Sequence, residues 1–237
     1  MKGCGSPYLT YHHFDPPWHD GHEHAETGMI ALCHSHHDKA DGGVWTFEQL
    51  RGMKQNPYLT GGSVQGQIDW LRSGIALRAG GGDMIDMPVF LNVGGRKIVW
   101  VTRDSDGRAM LNLNLRRADG EIVFFMSNND WLVSGHVHDV EAAPQGRTLR
   151  CEDTVNGIDV CLKFCEATAD DYRGMVRIPW SVVEGAIHEW PILVATMTAK
   201  IVYPRPVTIT DTRIILPGGN TMVGCSFASA GVAAIMV

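Results

Sequence analysis

Eight of the eleven histidines in this 237-residue chain fall between residues 12 and 37: His12, His13, His19, His22, His24, His34, His36 and His37. Imidazole is the commonest side-chain metal ligand, and its ordinary pKa near 6.5 lets it exchange protons at neutral pH. Solvation does not require such clustering; metal chemistry and proton transfer are uses for it. His12 and His13 stand side by side in Tyr11-His12-His13-Phe14. Adjacent side chains on a strand point to opposite faces. One histidine of such a pair can bind a metal while its neighbour, at the bend of a hairpin, reaches substrate as a base. The second group is Cys33-His34-Ser35-His36-His37-Asp38-Lys39-Ala40-Asp41. On a helix His37 and Asp41, four apart, share a face and can hold one divalent ion. Cys33 and His36, three apart, can chelate a different ion.

These side chains need elements to hold them. Two helices are expected first, over Met29 to about Lys39 and over Phe47 to about Lys54. The second has a start signal: Thr46 can cap it, Gln49 can close a capping box, and Trp45 and Leu50 occupy the staple positions. Pro57 stops it. A shorter helix is expected around Gln67 to Arg78, with Ile68, Leu71 and Ile75 on one face. From about Met87 the texture changes to short alternating apolar runs. Strands are expected at Val89–Val93, Lys97–Thr102, Ala109–Leu115, Ile122–Met126, Leu149–Cys151, Ile158–Phe164, Met175–Ile178, Ile192–Val202, Val207–Ile209, Arg213–Leu216 and Ala233–Val237. Asp106-Gly107, Asp119-Gly120 and Asn156-Gly157 are hairpin signals between them. The resulting expectation is an α+β protein. A small module spans residues 1–58, a linker 59–84, and a β-rich, sandwich- or roll-like domain 85–237.

The pair His12-His13, a glycine-containing loop, and then Ile30-Ala31-Leu32-Cys33-x-x-His36-His37 resemble the HNH endonuclease family, the ββα-metal nucleases. The resemblance covers about residues 4–41, and Ala40-Asp41 with the following helix is similar to one HNH subgroup. It implies a ββα-metal module in which His12 and His37 are metal ligands, Asp41 a further ligand one helical turn on, and His13 the general base. The implied reaction is hydrolysis of a DNA phosphodiester with one divalent ion, magnesium or another. The resemblance also implies a separate structural zinc held by Cys4, Cys33 and His36. The partner of Cys4 falls at or before Met1, so the expectation is an upstream start, or completion by His34 or water. The family's middle Asn, which braces the hairpin loop, corresponds to about Gly28, so bracing is expected from elsewhere, with His24 a candidate.

Composition and charge set bounds. With 44% hydrophobic and 19% charged residues, the chain is neither disordered nor collagen-like. Net charge is -6, from 20 basic and 26 acidic residues, so there is no global basic field. Residues 1–58 hold four basic residues (Lys2, Lys39, Arg51, Lys54) against seven acidic ones. That balance opposes non-specific nucleic-acid binding, which relies on Lys and Arg against phosphate. The nearest basic concentration is Arg96, Lys97, Arg103, Arg108, Arg116 and Arg117, either a DNA-holding stripe or a solvated sheet face. Two readings compete with the nuclease: a non-catalytic zinc-binding interaction module, and a degenerate nuclease remnant carried by a β-rich binding domain. Trp18, Trp45 and Trp70 are expected as core anchors, and His19, His22 and His24 in a solvated or substrate-facing loop. His136, His138 and His188 are expected on the surface or satisfied in the core, and Cys151, Cys161 and Cys165 packed in strands. The apolar tail Val223–Val237 is too short and too broken for a membrane span. With scattered cysteines and no charged segment leading an apolar run, a reducing cytoplasm is expected.

Overall fold

A computed structural model describes residues 6–22, 24–56, 62–143, 145–228 and 235–236. The chain opens with strand β1 (Leu9–His13), a one-turn helix α1 (Trp18–Gly21) in the connecting loop, and strand β2 (Met29–Cys33). β2 returns antiparallel to β1, with His12 opposite Ile30 and Leu9 opposite Cys33. Helices α2 (His34–Asp41) and α3 (Phe47–Gln55) follow. The expectation of a single helix over Met29–Lys39 is therefore corrected: its first five residues are strand and the helix begins at His34. A short apolar run fits either element. Here β1 lies alongside to take its backbone hydrogen bonds, and Ile30 and Leu32 are buried while Ala31 faces out.

α3 starts as its capping box predicts. Thr46 Oγ1 accepts from the Gln49 N–H at 3.3 Å, and Gln49 Oε1 accepts from the Thr46 N–H at 2.9 Å. Hairpin and helices close over Phe14, Ile30, Leu32, Ala40 and Leu50, with Trp45 and Met53 packed against them. Each large side chain so buried stabilises by about 1.5–3 kcal/mol, so this core is small. α3 adds polar ties: Arg51 donates to Asp15 and Lys54 to the Glu26 carbonyl, holding both sides of the hairpin loop.

The remainder is sheet. In chain order come β3 (Val64–Gln67), β4 (Ile75–Ala79), β5 (Gly82–Ile85), β6 (Val89–Val93), β7 (Arg96–Arg103), β8 (Ala109–Arg116), β9 (Ile122–Ser127), β10 (Asp130–Val133), β11 (Asp139–Ala142), β12 (Thr148–Asp153) and β13 (Ile158–Ala167). Helices α4 (Ala169–Met175) and α5 (Trp180–Ala186) precede β14 (Ile192–Ile201), β15 (Val207–Ile209), β16 (Ile214–Ile215), β17 (Thr221–Met222), β18 (Phe227–Ala228) and β19 (Ile235–Met236). A seven-stranded sheet runs β19-β6-β7-β8-β9-β10-β3. A ten-stranded sheet runs β11 to β17, with β4, β5 and β18 attached beside β14. Alternation explains the packing: β12 buries Leu149, Cys151 and Asp153 and turns Thr148, Arg150 and Glu152 outward. Leu113 and Phe124 of the first sheet share one core with Leu162 and Met197 of the second. Arg117 Nε donates to Asp153 Oδ2 at 3.0 Å, tying the turn after β8 to the end of β12.

The α+β expectation is corrected by this content. Nineteen strands stand against five α-helices, none longer than nine residues, among the described residues. The fold is β-rich, with helices in the ββα unit and in the α4–α5 segment before β14. The helix expected over Gln67–Arg78 is absent too: Ile75–Ala79 is a strand running parallel to β14, with Ile75 opposite Leu193. Met175–Ile178 is not a strand, since Met175 ends α4. Of the strand expected at Ala233–Val237, Ile235–Met236 is seen as β19 and the rest lies outside the described residues. No helix among the described residues is long and apolar enough to cross a membrane.

Candidate metal centre and its cleft

The hairpin and α2 bring three separated side chains together. His12 projects from β1, and His37 and Asp41 from one face of α2. His12 Nδ1 lies 3.0 Å from Asp41 Oδ1, and His37 Nδ1 lies 3.0 Å from Asp41 Oδ2. The two imidazoles meet edge to face with centroids 5.2 Å apart. One donor atom from each residue falls within 4.8 Å of the others. Donors on one ion stand about 3.0–3.4 Å apart; the two 3.0 Å contacts lie in that range, but they run to different Asp41 oxygens and are equally the contacts of two imidazole–carboxylate pairs. Burial pushes the His12 imidazole below its ordinary pKa, against the pull of Asp41 and with the push of His37. The neutral, ligand-competent form is thereby favoured.

His13, the last residue of β1, lines a cleft that it shares with this triad. The cleft has a volume of about 640 Å³ and is lined by His12, His13, His37 and Asp41 together with Trp18, His19, His24, Trp45 and Phe47 among others. His13 Nε2 lies 3.0 Å from His24 Nδ1, and its ring packs against Trp18 at 5.0 Å. His24, expected from the sequence as a brace for the hairpin loop, here contacts the His13 ring.

Gly28 has its own reason for being glycine. Its carbonyl accepts from the N–H groups of Phe14 at 2.9 Å and Asp15 at 3.2 Å. A Cβ at this position would sit 1.8 Å from the Asp15 carbonyl oxygen. Backbone meets backbone where the hairpin loop closes, and no side chain fits. The loop is braced by main-chain bonds and by α3.

The remaining expected site residues are distributed as follows. Cys33 Sγ and His36 Nδ1 approach to 3.0 Å, beside Trp45. Cys4 lies outside the described residues, so the structure places two of the three expected zinc donors together. In the β-rich part Arg96 sits over the Tyr203 ring at 5.4 Å and Lys97 is exposed. Arg103 donates to Asp86 and to the Gly107 carbonyl. Arg116 donates to the Gly120 carbonyl at 2.8 Å, and Arg117 to Asp153 and Glu121. Four of these five cations therefore have partners within the protein.

Trp18 was expected as a core anchor, yet it is 45% exposed at the cleft. Trp70 and Trp45 do anchor, the first donating from Nε1 to the Gly146 carbonyl at 3.0 Å and the second packing on the Leu50 cluster. Phe47, 52% exposed in the same cleft, carried no sequence signal beyond its place after a helix cap. The chain matches no protein-family model, no curated protein and no solved structure.

Proposed function

We propose that the ββα unit is a single-metal nuclease centre hydrolysing DNA phosphodiester bonds. The observation that carries this reading is the convergence of His12, His37 and Asp41 on one point, with His13 beside them in the same cleft. His12 Nδ1, His37 Nδ1 and an Asp41 carboxylate oxygen would hold the ion. Two imidazoles and one carboxylate favour manganese, nickel or zinc over magnesium, which prefers an all-oxygen shell. A divalent ion bound there supplies positive charge against the phosphate and the departing 3′ oxygen.

The chain's own residues do the rest. His13 takes a proton from water on Nδ1, the water oxygen bonds to phosphorus, and the bond from phosphorus to the 3′ oxygen breaks. That role requires a lone pair on Nδ1, so His13 carries its resting proton on Nε2 and donates it to His24 Nδ1, 3.0 Å away. His24 then keeps its own proton on Nε2. His24 is a positioning residue in this scheme: it selects the tautomer of the base. The Cys33–His36 contact favours an additional structural zinc in the same module.

The test is plasmid incubated with the protein and Mn²⁺, Ni²⁺, Zn²⁺ or Mg²⁺, alongside His13→Ala. Nicking by the wild type, reduced about 10²-fold or more in the variant, is expected. No cleavage with any of these ions contradicts the nuclease reading and leaves a metal-binding interaction module.

A further inference from the structure

Trp18 and Phe47 are large apolar side chains held in the open, 45% and 52% exposed. Both line the cleft of His12, His13, His37 and Asp41, and neither belongs to the buried cluster beneath it. Trp18 is firmly held. Its carbonyl accepts from the His22 N–H at 3.0 Å, and the Pro17 carbonyl accepts from Asp20 at 3.0 Å and Gly21 at 3.2 Å. Its ring packs against His13, His22 and His24 at 5.0, 5.2 and 5.0 Å. Phe47 is the first residue of α3, fixed by the Thr46 capping box. Rigid aromatic faces at a cleft offer stacking area at low entropic cost.

The cations point the same way. Among the described residues, none of those lining the cleft is lysine or arginine. Of the four basic residues in 1–58, Arg51 is engaged by Asp15 and Lys54 by the Glu26 carbonyl. Lys2 lies outside the described residues, which leaves exposed Lys39. Gripping a duplex backbone draws on several lysines and arginines at phosphates. An unpaired strand can instead be held through its bases, each with a π-face to stack.

Resting on the nuclease reading above, we propose that the cleft takes an unpaired nucleotide of a single strand. Its base stacks on Trp18 and Phe47, and its phosphate lies at the His12, His37 and Asp41 centre. The enzyme then discriminates by strandedness, because a paired base cannot present its face to these rings.

The experiment uses the full chain carrying His13→Ala and loaded with Mn²⁺, which keeps the ion while suppressing turnover, with a labelled short oligothymidylate and a duplex of equal length, read by fluorescence anisotropy. The single strand is expected to bind about tenfold tighter or better. Trp18→Ala and Phe47→Ala should each weaken it about tenfold, while Trp18→Phe and Phe47→Tyr retain binding. Affinity should fall less than about tenfold between about 50 and 200 mM salt, since few phosphates are neutralised. Circular dichroism and Mn²⁺ binding matching the wild type exclude misfolding of the variants. Equal or tighter duplex binding, or unchanged affinity in both alanine variants, overturns the proposal. Cleavage by the wild type, assayed in parallel, separates the two readings. Duplex cut as fast as single strand removes the stacking proposal and leaves the nuclease. Selective single-strand binding without cleavage by any ion removes the nuclease and leaves the stacking surface.

Discussion

His12 and His13 are neighbours in sequence with opposite tasks in the proposed reaction, and the strand's two-residue period separates them. His12 turns to His37 and Asp41. His13, at the strand's end, turns to His24 and Trp18. That the two histidines have different neighbours was legible in the dipeptide because strand alternation is a local rule. The contribution of Trp18 was not, because its exposure depends on how the Asp15–Gly21 loop is folded. His12 also carries a pH signature. Its folded pKa lies below the ordinary 6.5, chiefly because burial disfavours the imidazolium. In metal-free protein the unfolded chain therefore binds that proton more readily than the folded one. The corresponding stability is fully present above about pH 6.5 and is lost as pH falls from there through the lower folded value. Thermal unfolding in EDTA should drop across that window, and His12→Gln should flatten the drop. An unchanged slope in the variant would assign it to other groups.

Elements were readable where their signals are local and obscure where their partners are distant. The Thr46–Gln49 box and the Asp106-Gly107 and Asp119-Gly120 turns formed as expected, the two glycines with φ of 77° and 89°. Thr168 and Asp171 make a second capping box at α4, an equally local signal in the sequence. Met29–Cys33 was misread because five apolar residues do not reveal that Leu9–His13 will pair with them. Ile75–Ala79 was misread for the same reason, its parallel neighbour β14 lying more than a hundred residues on. Two element-scale substitutions test the frame around the candidate metal centre. Thr46→Ala removes a cap and should cost about 1 kcal/mol, measured by denaturant unfolding. Gly28→Ala places a Cβ 1.8 Å from the Asp15 carbonyl oxygen and must spread the hairpin loop. It should weaken Mn²⁺ binding as well as stability, whereas Thr46→Ala should spare the ion. Full Mn²⁺ affinity in Gly28→Ala would show that the loop closure does not set the site.

At the scale of the whole molecule, a small histidine-rich unit with its own buried cluster is joined to a large β-rich body with one large core and a smaller second cluster around Tyr172. Under the proposed function, the net charge of -6 means that nucleic acid is approached through a bound ion and exposed rings rather than a basic field. The body's integrity rests on burial and on a few placed ions. Asp153 is almost fully buried and accepts from Arg117 and Asn156. Removing it leaves the largely buried Arg117 with Glu121 as its remaining carboxylate partner across the turn. Asp153→Ala is expected to cost about 3 kcal/mol, read by chemical unfolding, without altering the metal affinity of the ββα unit. The central claim is the ion itself, and pulsed electron paramagnetic resonance of Mn²⁺ added to the full chain reads it directly. The expected result is one bound ion per chain with nitrogen couplings from two imidazoles, one of them lost in His37→Ala. Bound Mn²⁺ without imidazole coupling, or no bound ion, would contradict the account.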